Sequence, residues 1–420
     1  MLKKIINTGL VRVIGLFLTF LIGIIISRVF GAVGKGEITL FLLIPTLIST
    51  YFGLSIQEGF LYFFGSNKIT NKDFKNLLFR ANVFLTPIFL FFYFTAYLFI
   101  DNYDYYLFPQ IILMIVLLNT IIFKFSLRGL LEFKAYNLVL FVEPFITLLG
   151  ILIIVLFDLN LEYIIWAYIL GYVLPLPYQY LIIINKEKTP SVALKLKQIV
   201  NYSYKVHFFK ILNFTENKFD ILIIGYFLSI TEVGIYSIAV AITVIFQSLV
   251  QTSISTVLLP ALIKSKNDFK QKLTTDYFKL SLSLALVFLV GILIFGKMFI
   301  ENIYGLEFKA AFTPLIILSI GALMKSPSAC MNSYFKSNGR PEVLYKTSIY
   351  SVIVNILLCF VLIPSFGIVG AAIASSISYF IYGIIMIIKF NNTTQISFLN
   401  LISINRKDFK SMKNLIQKFR

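Results

Sequence analysis

Cysteine is nearly absent. Cys330 and Cys359 are the only two, and both fall in apolar stretches far apart. No disulfide framework and no cysteine metal site can be read from them. The single histidine, His207, has no ligand partner at metal spacing. There is no GxSxG elbow, no Walker A loop and no Cys/His cluster. Hydrolytic, ATP-driven and metal chemistry therefore have no motif to rest on, and neither a catalytic residue nor a fused ATPase is expected. Charge is scarce as well, at 13% of residues, against about 25% in a soluble domain.

What fills the chain is apolar: 59% hydrophobic and 16% aromatic residues over 420 positions. Soluble domains have roughly 45–50% apolar residues. The composition is that of an all-α integral membrane protein. A spanning helix needs about 20 apolar residues, so the length has room for about twelve. Apolar runs fall at about 9–30, 37–64, 81–100, 107–127, 138–157, 163–184, 205–227, 234–263, 278–300, 312–335, 343–364 and 368–390. The first is too long for a signal-peptide core, and no small-x-small cleavage site follows it. It is expected to be a retained first span, with Lys3 and Lys4 holding its start in the cytoplasm.

A net charge of +18 first suggests a nucleic-acid partner. The location of the charges argues against one, because the basic residues cluster in every second loop. Lys68, Lys72, Lys75 and Arg80 form one group, Arg128 and Lys134 another, and Lys186, Lys188, Lys195 and Lys197 a third. Lys264, Lys266, Lys270 and Lys272 follow, then Lys336, Arg340 and Lys346. The loops between are mostly acidic or aromatic, as in DNYDYY at 101–106. Tyr103, Tyr105 and Tyr106 there fit an interfacial belt. This positive-inside pattern places both termini in the cytoplasm and requires an even number of spans. Residues 391–420 read as a basic amphipathic tail, with Phe398, Leu401, Ile402, Phe409 and Met412 at helical spacing for the inner leaflet.

The chain repeats itself. SRVFGAVGKGEI from Ser27 aligns with GYFLSITEVGIY from Gly225, an offset of 198. SLRGLLEFKAYNLVLF from Ser126 aligns with YFKSNGRPEVLYKTSI from Tyr334, an offset of 208. Two six-helix lobes are expected, 1–200 and 201–390, pseudo-symmetric about an axis along the membrane normal and enclosing a central cavity.

The seventh run is the anomaly. Lys210, Asn213, Glu216, Asn217 and Asp220 fall within an arc of about 120° on one helix. A single charge at the bilayer centre costs roughly 2.5–3.5 kcal/mol on insertion scales, so such a face must meet water or protein. The repeat then pairs Lys210 with Arg12, at the offset of 198. Thr8, Arg12, Gly15, Thr19 and Gly23 make a small and polar stripe on the first span, although the glycines also suit helix packing.

FDILIIGYFLSITEVGIYSIAVAI, with Asp220, Gly225, Gly234, Tyr236 and Ala239, resembles the seventh-to-eighth helix region of bacterial polysaccharide-unit flippases. SNGRPEV and IPSFGIVGAAIASSIS resemble their tenth-to-twelfth region, and SRVFGAVGKGEITLF the end of their first helix. These are O-antigen-type translocases of the multidrug/oligosaccharidyl-lipid/polysaccharide exporter superfamily, and the resemblance covers essentially the whole chain. It implies an oligosaccharide unit on undecaprenyl pyrophosphate, moved between leaflets of the bacterial cytoplasmic (inner) membrane by alternating access. Membrane lipids and polysaccharide polymerase machinery are the implied partners. Lipid II flippases of the superfamily usually carry two more helices. Multidrug antiporters share the helix count but favour acidic and aromatic cavities. A membrane polymerase or glycosyltransferase would need a large outer loop, and every outer loop here is short.

A pyrophosphate cannot enter hydrocarbon unaided. Arg12 and Lys210 are the expected contacts, the first bidentate and the second a movable point charge. Lys325, Lys218, Asn213 and Asn217 are further substrate-binding candidates, while Lys124 either faces a cavity or snorkels to headgroups. Glu58, Glu143, Glu216 and Asp220 either couple transport to an H⁺ or Na⁺ gradient or neutralise nearby cations. No other cofactor and no metal is expected.

Overall fold

The structure, a computed structural model, describes residues 2–65, 69, 71–97, 107–185, 196–263, 265, 267–397 and 400–401. Tyr103, Tyr105, Tyr106 and most of the expected amphipathic tail, residues 398–399 and 402–420, lie outside the described residues. Among those described, the regular structure is entirely helical. In order the helices are α1 Leu2–Phe52, α2 Ile56–Gly65, α3 Asn71–Tyr97, α4 Leu107–Gly129, α5 Phe133–Leu156, α6 Glu162–Val173 and α7 Leu176–Ile184. There follow α8 Leu196–Phe227, α9 Ile230–Ile263, α10 Asn267–Ile303, a short 3₁₀ segment Leu306–Ala311, α11 Phe312–Ser337 and α12 Glu342–Thr394.

Two helices are too long for one crossing. α1 has 51 residues and α12 has 53. At 1.5 Å per residue each would run to roughly 75–80 Å, against a hydrocarbon core of about 30 Å. Each is divided by one glycine in a non-helical conformation, Gly31 at φ 65°, ψ −167° and Gly367 at φ 59°, ψ −141°. Side chains with a Cβ are excluded from that region, so a glycine makes each turn without a loop. Among the described residues nine helical stretches are long and apolar enough to cross a membrane. Two of them are the double spans α1 and α12. α8, with 32 residues, is long enough but too charged to be one of the nine. The architecture is thus the all-α, twelve-span membrane fold that hydropathy predicts.

The chain forms two compact units, Met1–Phe214 and Thr215–Arg420. The boundary falls inside α8, whereas the sequence suggested the connection near 200. The reason is local packing, because the first half of α8 seats on α2 in the first unit. A Cβ on Gly59 would lie 2.5 Å from Ile199 Cγ2 and 2.8 Å from Ser203 Oγ. That close approach supplies the van der Waals contact that holds helices together in lipid. In the first unit one cluster centres on Phe60, Phe64, Phe74 and Phe123. A second joins Ile22 and Phe41 of α1 to Ile151 of α5 and Ile165 of α6. In the second unit a Cβ on Gly321 of α11 would lie 2.9 Å from Ser376 of α12.

The internal repeat is visible in the backbone. α4 ends with Leu131 at φ 61°, and α11 ends with Gly339 at φ 68°, a separation equal to the sequence offset of 208. The hydrogen bonds match one for one. Glu132 N donates to Leu127 O at 2.9 Å, and Arg340 N to Phe335 O at 2.9 Å. Both turns are left-handed helix caps that satisfy the last carbonyls.

Candidate functional site

In the first unit a cavity of about 230 Å³ lies between α1, α5 and α6. Arg12, Gly15 and Thr19 line it from α1, Glu143, Pro144 and Thr147 from α5, and Tyr168 and Tyr172 from α6. The helices approach closely because two positions are glycine. A Cβ on Gly171 would lie 2.1 Å from Thr147 Oγ1 and 2.9 Å from Glu143 O, and one on Gly15 would lie 3.0 Å from Leu140 O. Gly23 has no such backbone neighbour; its nearest contact would be Lys35 Nζ at 3.6 Å. The Arg12 guanidinium is exposed, and no hydrogen bond or ion pair engages it among the described residues. Beside the cavity Lys124 forms an ion pair with Glu143 Oε2 and lies 6.0 Å from the Tyr172 ring centroid. The other carboxylate oxygen, Glu143 Oε1, is buried without a partner.

A second polar cluster of this unit sits where α1 gives way to α2. Leu54 and Ser55 are both left-handed, at φ 51° and 47°. Their side chains make that costly, by about 1–2 kcal/mol per residue. His207 of α8 bridges the break. Its Nε2 lies 3.0 Å from Tyr51 O, on one side. Its Nδ1 lies 3.1 Å from Ser55 Oγ, on the other. A carbonyl only accepts, so Nε2 carries the proton, and in the neutral ring Nδ1 accepts from the serine hydroxyl. Ser203 Oγ accepts from Gly59 N at 3.0 Å. One turn beyond His207, Lys210 Nζ pairs with Glu58 Oε1 at 2.9 Å and stands 4.9 Å from the Phe125 ring centroid.

The second unit carries its own cluster. Lys325 of α11 pairs with Glu216 Oε2 at 3.5 Å and donates to Asn217 Oδ1 at 3.1 Å. Its Nζ also lies over the Tyr379 ring, 3.7 Å from the centroid. Ser351 Oγ donates to Glu216 Oε1 at 2.9 Å. Asp220 Oδ2 accepts from Tyr236 OH at 2.6 Å and from Ser375 Oγ at 3.0 Å. Asn355 Nδ2 donates to that same serine at 3.3 Å. Charges held this deep need partners, because an unpaired one forfeits its hydration without return.

The structure thus brings Lys325 together with Glu216 and Asn217, and Lys210 together with Glu58. Glu143 lies beside Lys124 and lines the cavity of Arg12. Lys210 is not among the residues lining that cavity. It packs in the first unit with Arg12, not in a separate lobe. Asn213 is exposed and Lys218 half-buried. Sequence reasoning missed His207, Ser55 and Ser203 as a clamp, and Ser351, Ser375 and Tyr236 as partners of the acids. The serine-rich ASSIS stretch of α12 was the available signal for the second group.

Residues 67–313 match the family model described as "Polysaccharide biosynthesis protein". A curated relative, the probable low-salt glycan biosynthesis flippase Agl15 of Haloferax volcanii, is 29% identical over 225 residues, 53% of this chain and 47% of its own length. The capsular polysaccharide biosynthesis protein CapF of Staphylococcus aureus is 29% identical over 152 residues, 35% of this chain and 38% of its own. The chain therefore matches less than half the length of either relative. Among solved structures, the lipid II flippase MurJ in an inward closed conformation superposes with a TM-score of 0.71 at 16% identity, covering 100% of this chain and 92% of that one. An inward-facing multidrug resistance transporter gives 0.68 at 13% identity, covering 94% and 96%. At those identities the likeness establishes the fold alone.

Proposed function

Because the chain belongs to the polysaccharide biosynthesis protein family, we propose that it is a flippase for a lipid-linked oligosaccharide. The cargo is a repeat unit on undecaprenyl pyrophosphate, carried from the inner to the outer leaflet of the bacterial cytoplasmic membrane by alternating access. The product is material for O-antigen or capsule, and a polymerase on the far side would consume it. Both termini face the cytoplasm on this reading, in keeping with the basic loops.

The observation that carries the proposal is Arg12, a guanidinium on a spanning helix that lines a cavity and, among the described residues, forms no ion pair, the cavity's acid Glu143 being paired with Lys124. A helix bears the cost of an unpaired charge at membrane depth where that charge has work to do. A diphosphate leaving water loses its hydration, and a forked guanidinium restores two hydrogen bonds to phosphate oxygens. Lys210 supplies a second cation. Binding that differs between inward and outward states biases the equilibrium between them. Glu143, Glu216, Asp220 and Glu58 are the groups on which an H⁺ or Na⁺ gradient would act. The cytoplasm is negative inside, so an exported anion gains roughly 2.3 kcal/mol per charge per 100 mV even without coupling.

The test is complementation of a flippase-deficient strain. Arg12→Ala and Lys210→Ala should each abolish surface polysaccharide while the protein stays in the membrane, with Lys210→Arg milder. Normal polysaccharide in both alanine variants would refute the site. Tyr168, Tyr172 and Glu143 also suit a cationic drug, which favours a cation-coupled multidrug antiporter as the second reading. That reading predicts raised drug tolerance in a sensitive host and no complementation.

A further inference from the structure

We propose that Glu58 is a placeholder for the anionic headgroup at Lys210, and that displacing it loosens α2 at the strained break before it. The proposal rests on the reading of Lys210 as a diphosphate contact.

Three lysine–carboxylate pairs described above differ in access. The side chains of Lys325 and Glu216 are 16% and 4% exposed, and those of Lys124 and Glu143 are 19% and 7%. For Lys210 and Glu58 the values are 26% and 19%. Of these three, the acid of the last pair is the most exposed, so there an incoming anion can trade places with it and leave it hydrated. A diphosphate carries more charge than one carboxylate and competes for the same ammonium. Lys210 stays in place during the exchange, because Phe125 holds it independently at 4.9 Å.

Glu58 lies in the first turn of α2, directly after the two left-handed residues. Its N–H donates to Ser55 O at 2.9 Å, so the break and the acid are one piece of structure. Side-chain ties fasten this piece to α8, among them Lys210 to Glu58, His207 to Ser55 with Tyr51, and Ser203 to Gly59. Irregular backbone at membrane depth survives where protein or water covers its polar groups. Releasing the first tie removes the ion pair from the restraints on a segment already strained at Leu54 and Ser55. Headgroup binding thereby reaches the backbone of α2 through a loss of contact, not a new one.

The experiment uses the full chain in lipid nanodiscs, with inorganic pyrophosphate and farnesyl diphosphate as probes. Binding is followed by calorimetry and backbone exchange at Ile56–Phe60 by mass spectrometry. Glu58→Gln should bind both probes more tightly, by up to about fivefold, the worth of one partly exposed ion pair. It should also exchange faster at Ile56–Phe60 without ligand, as the wild type does only with ligand. Glu58→Asp, one methylene shorter, should fall between, and it reads the same competition if Glu58→Gln fails to insert. Tightening with farnesyl diphosphate alone would overturn the proposal, since the gain would then come from the prenyl chain. If Lys210→Ala weakens binding but Glu58→Gln does not strengthen it, the placeholder is wrong and the flippase reading stands. If Lys210→Ala binds as wild type, the contact assigned to Lys210 falls, and the placeholder with it.

Discussion

The two units place corresponding residues around corresponding helices, yet the matched positions do different work. At the offset of 208, Glu143 corresponds to Ser351, Thr147 to Asn355 and Gly171 to Tyr379. In the first unit Gly171 lets α6 approach α5, and the cavity lined by Arg12 remains beside them. In the second, the Tyr379 ring lies under Lys325, and Ser351 and Asn355 extend hydrogen bonds around Glu216 and Ser375. The difference teaches that a repeat conserves helix placement without conserving chemistry. One copy sets Arg12, unpaired among the described residues, beside a cavity, while its counterpart engages its polar groups with one another.

The largest effect expected from breaking this comparison is in the second unit's cluster. Glu216→Ala strands Lys325 and removes the acceptor of Ser351. Removing one partner of a buried pair costs about 3–5 kcal/mol, read as a lower Tm in detergent. Adding Lys325→Met should recover most of that loss. Next comes Gly171→Ala, whose new methyl would collide with Thr147 Oγ1. Overpacking costs about 1–3 kcal/mol, and both Tm and polysaccharide export should fall. The smallest effect belongs to the paired turns. Leu131→Gly should relieve up to about 1 kcal/mol of left-handed strain, and Gly339→Ala should cost a similar amount. Equal and negligible shifts at the two positions would mean that the matched caps carry no matched energy.

Much of the fold was legible because lipid imposes one rule, that a span must be long and apolar. α8 stood out by violating it, and the polar face from Asn213 to Asp220 does meet polar partners. The clamp was not legible. His207 and Ser55 are far apart in sequence, and nothing in FGLSIQE announces a break with two left-handed residues. The acids were legible as charges needing partners, but not which lysine each would take. Glu143 chose Lys124 on the neighbouring helix α4, a pairing set by helix proximity that hydropathy does not encode. Where the units divide was also hidden, since α8 runs unbroken through the boundary.

Gly31 has a mechanical consequence. A reversal made by one residue has no slack, so the two arms of α1 can pivot about it but cannot slide apart. One arm bears Arg12, and the other ends at Tyr51, whose carbonyl His207 grips. Any swing of the arm that bears the guanidinium is therefore hinged at Gly31, a fixed length of helix away from the joint that the imidazole pins.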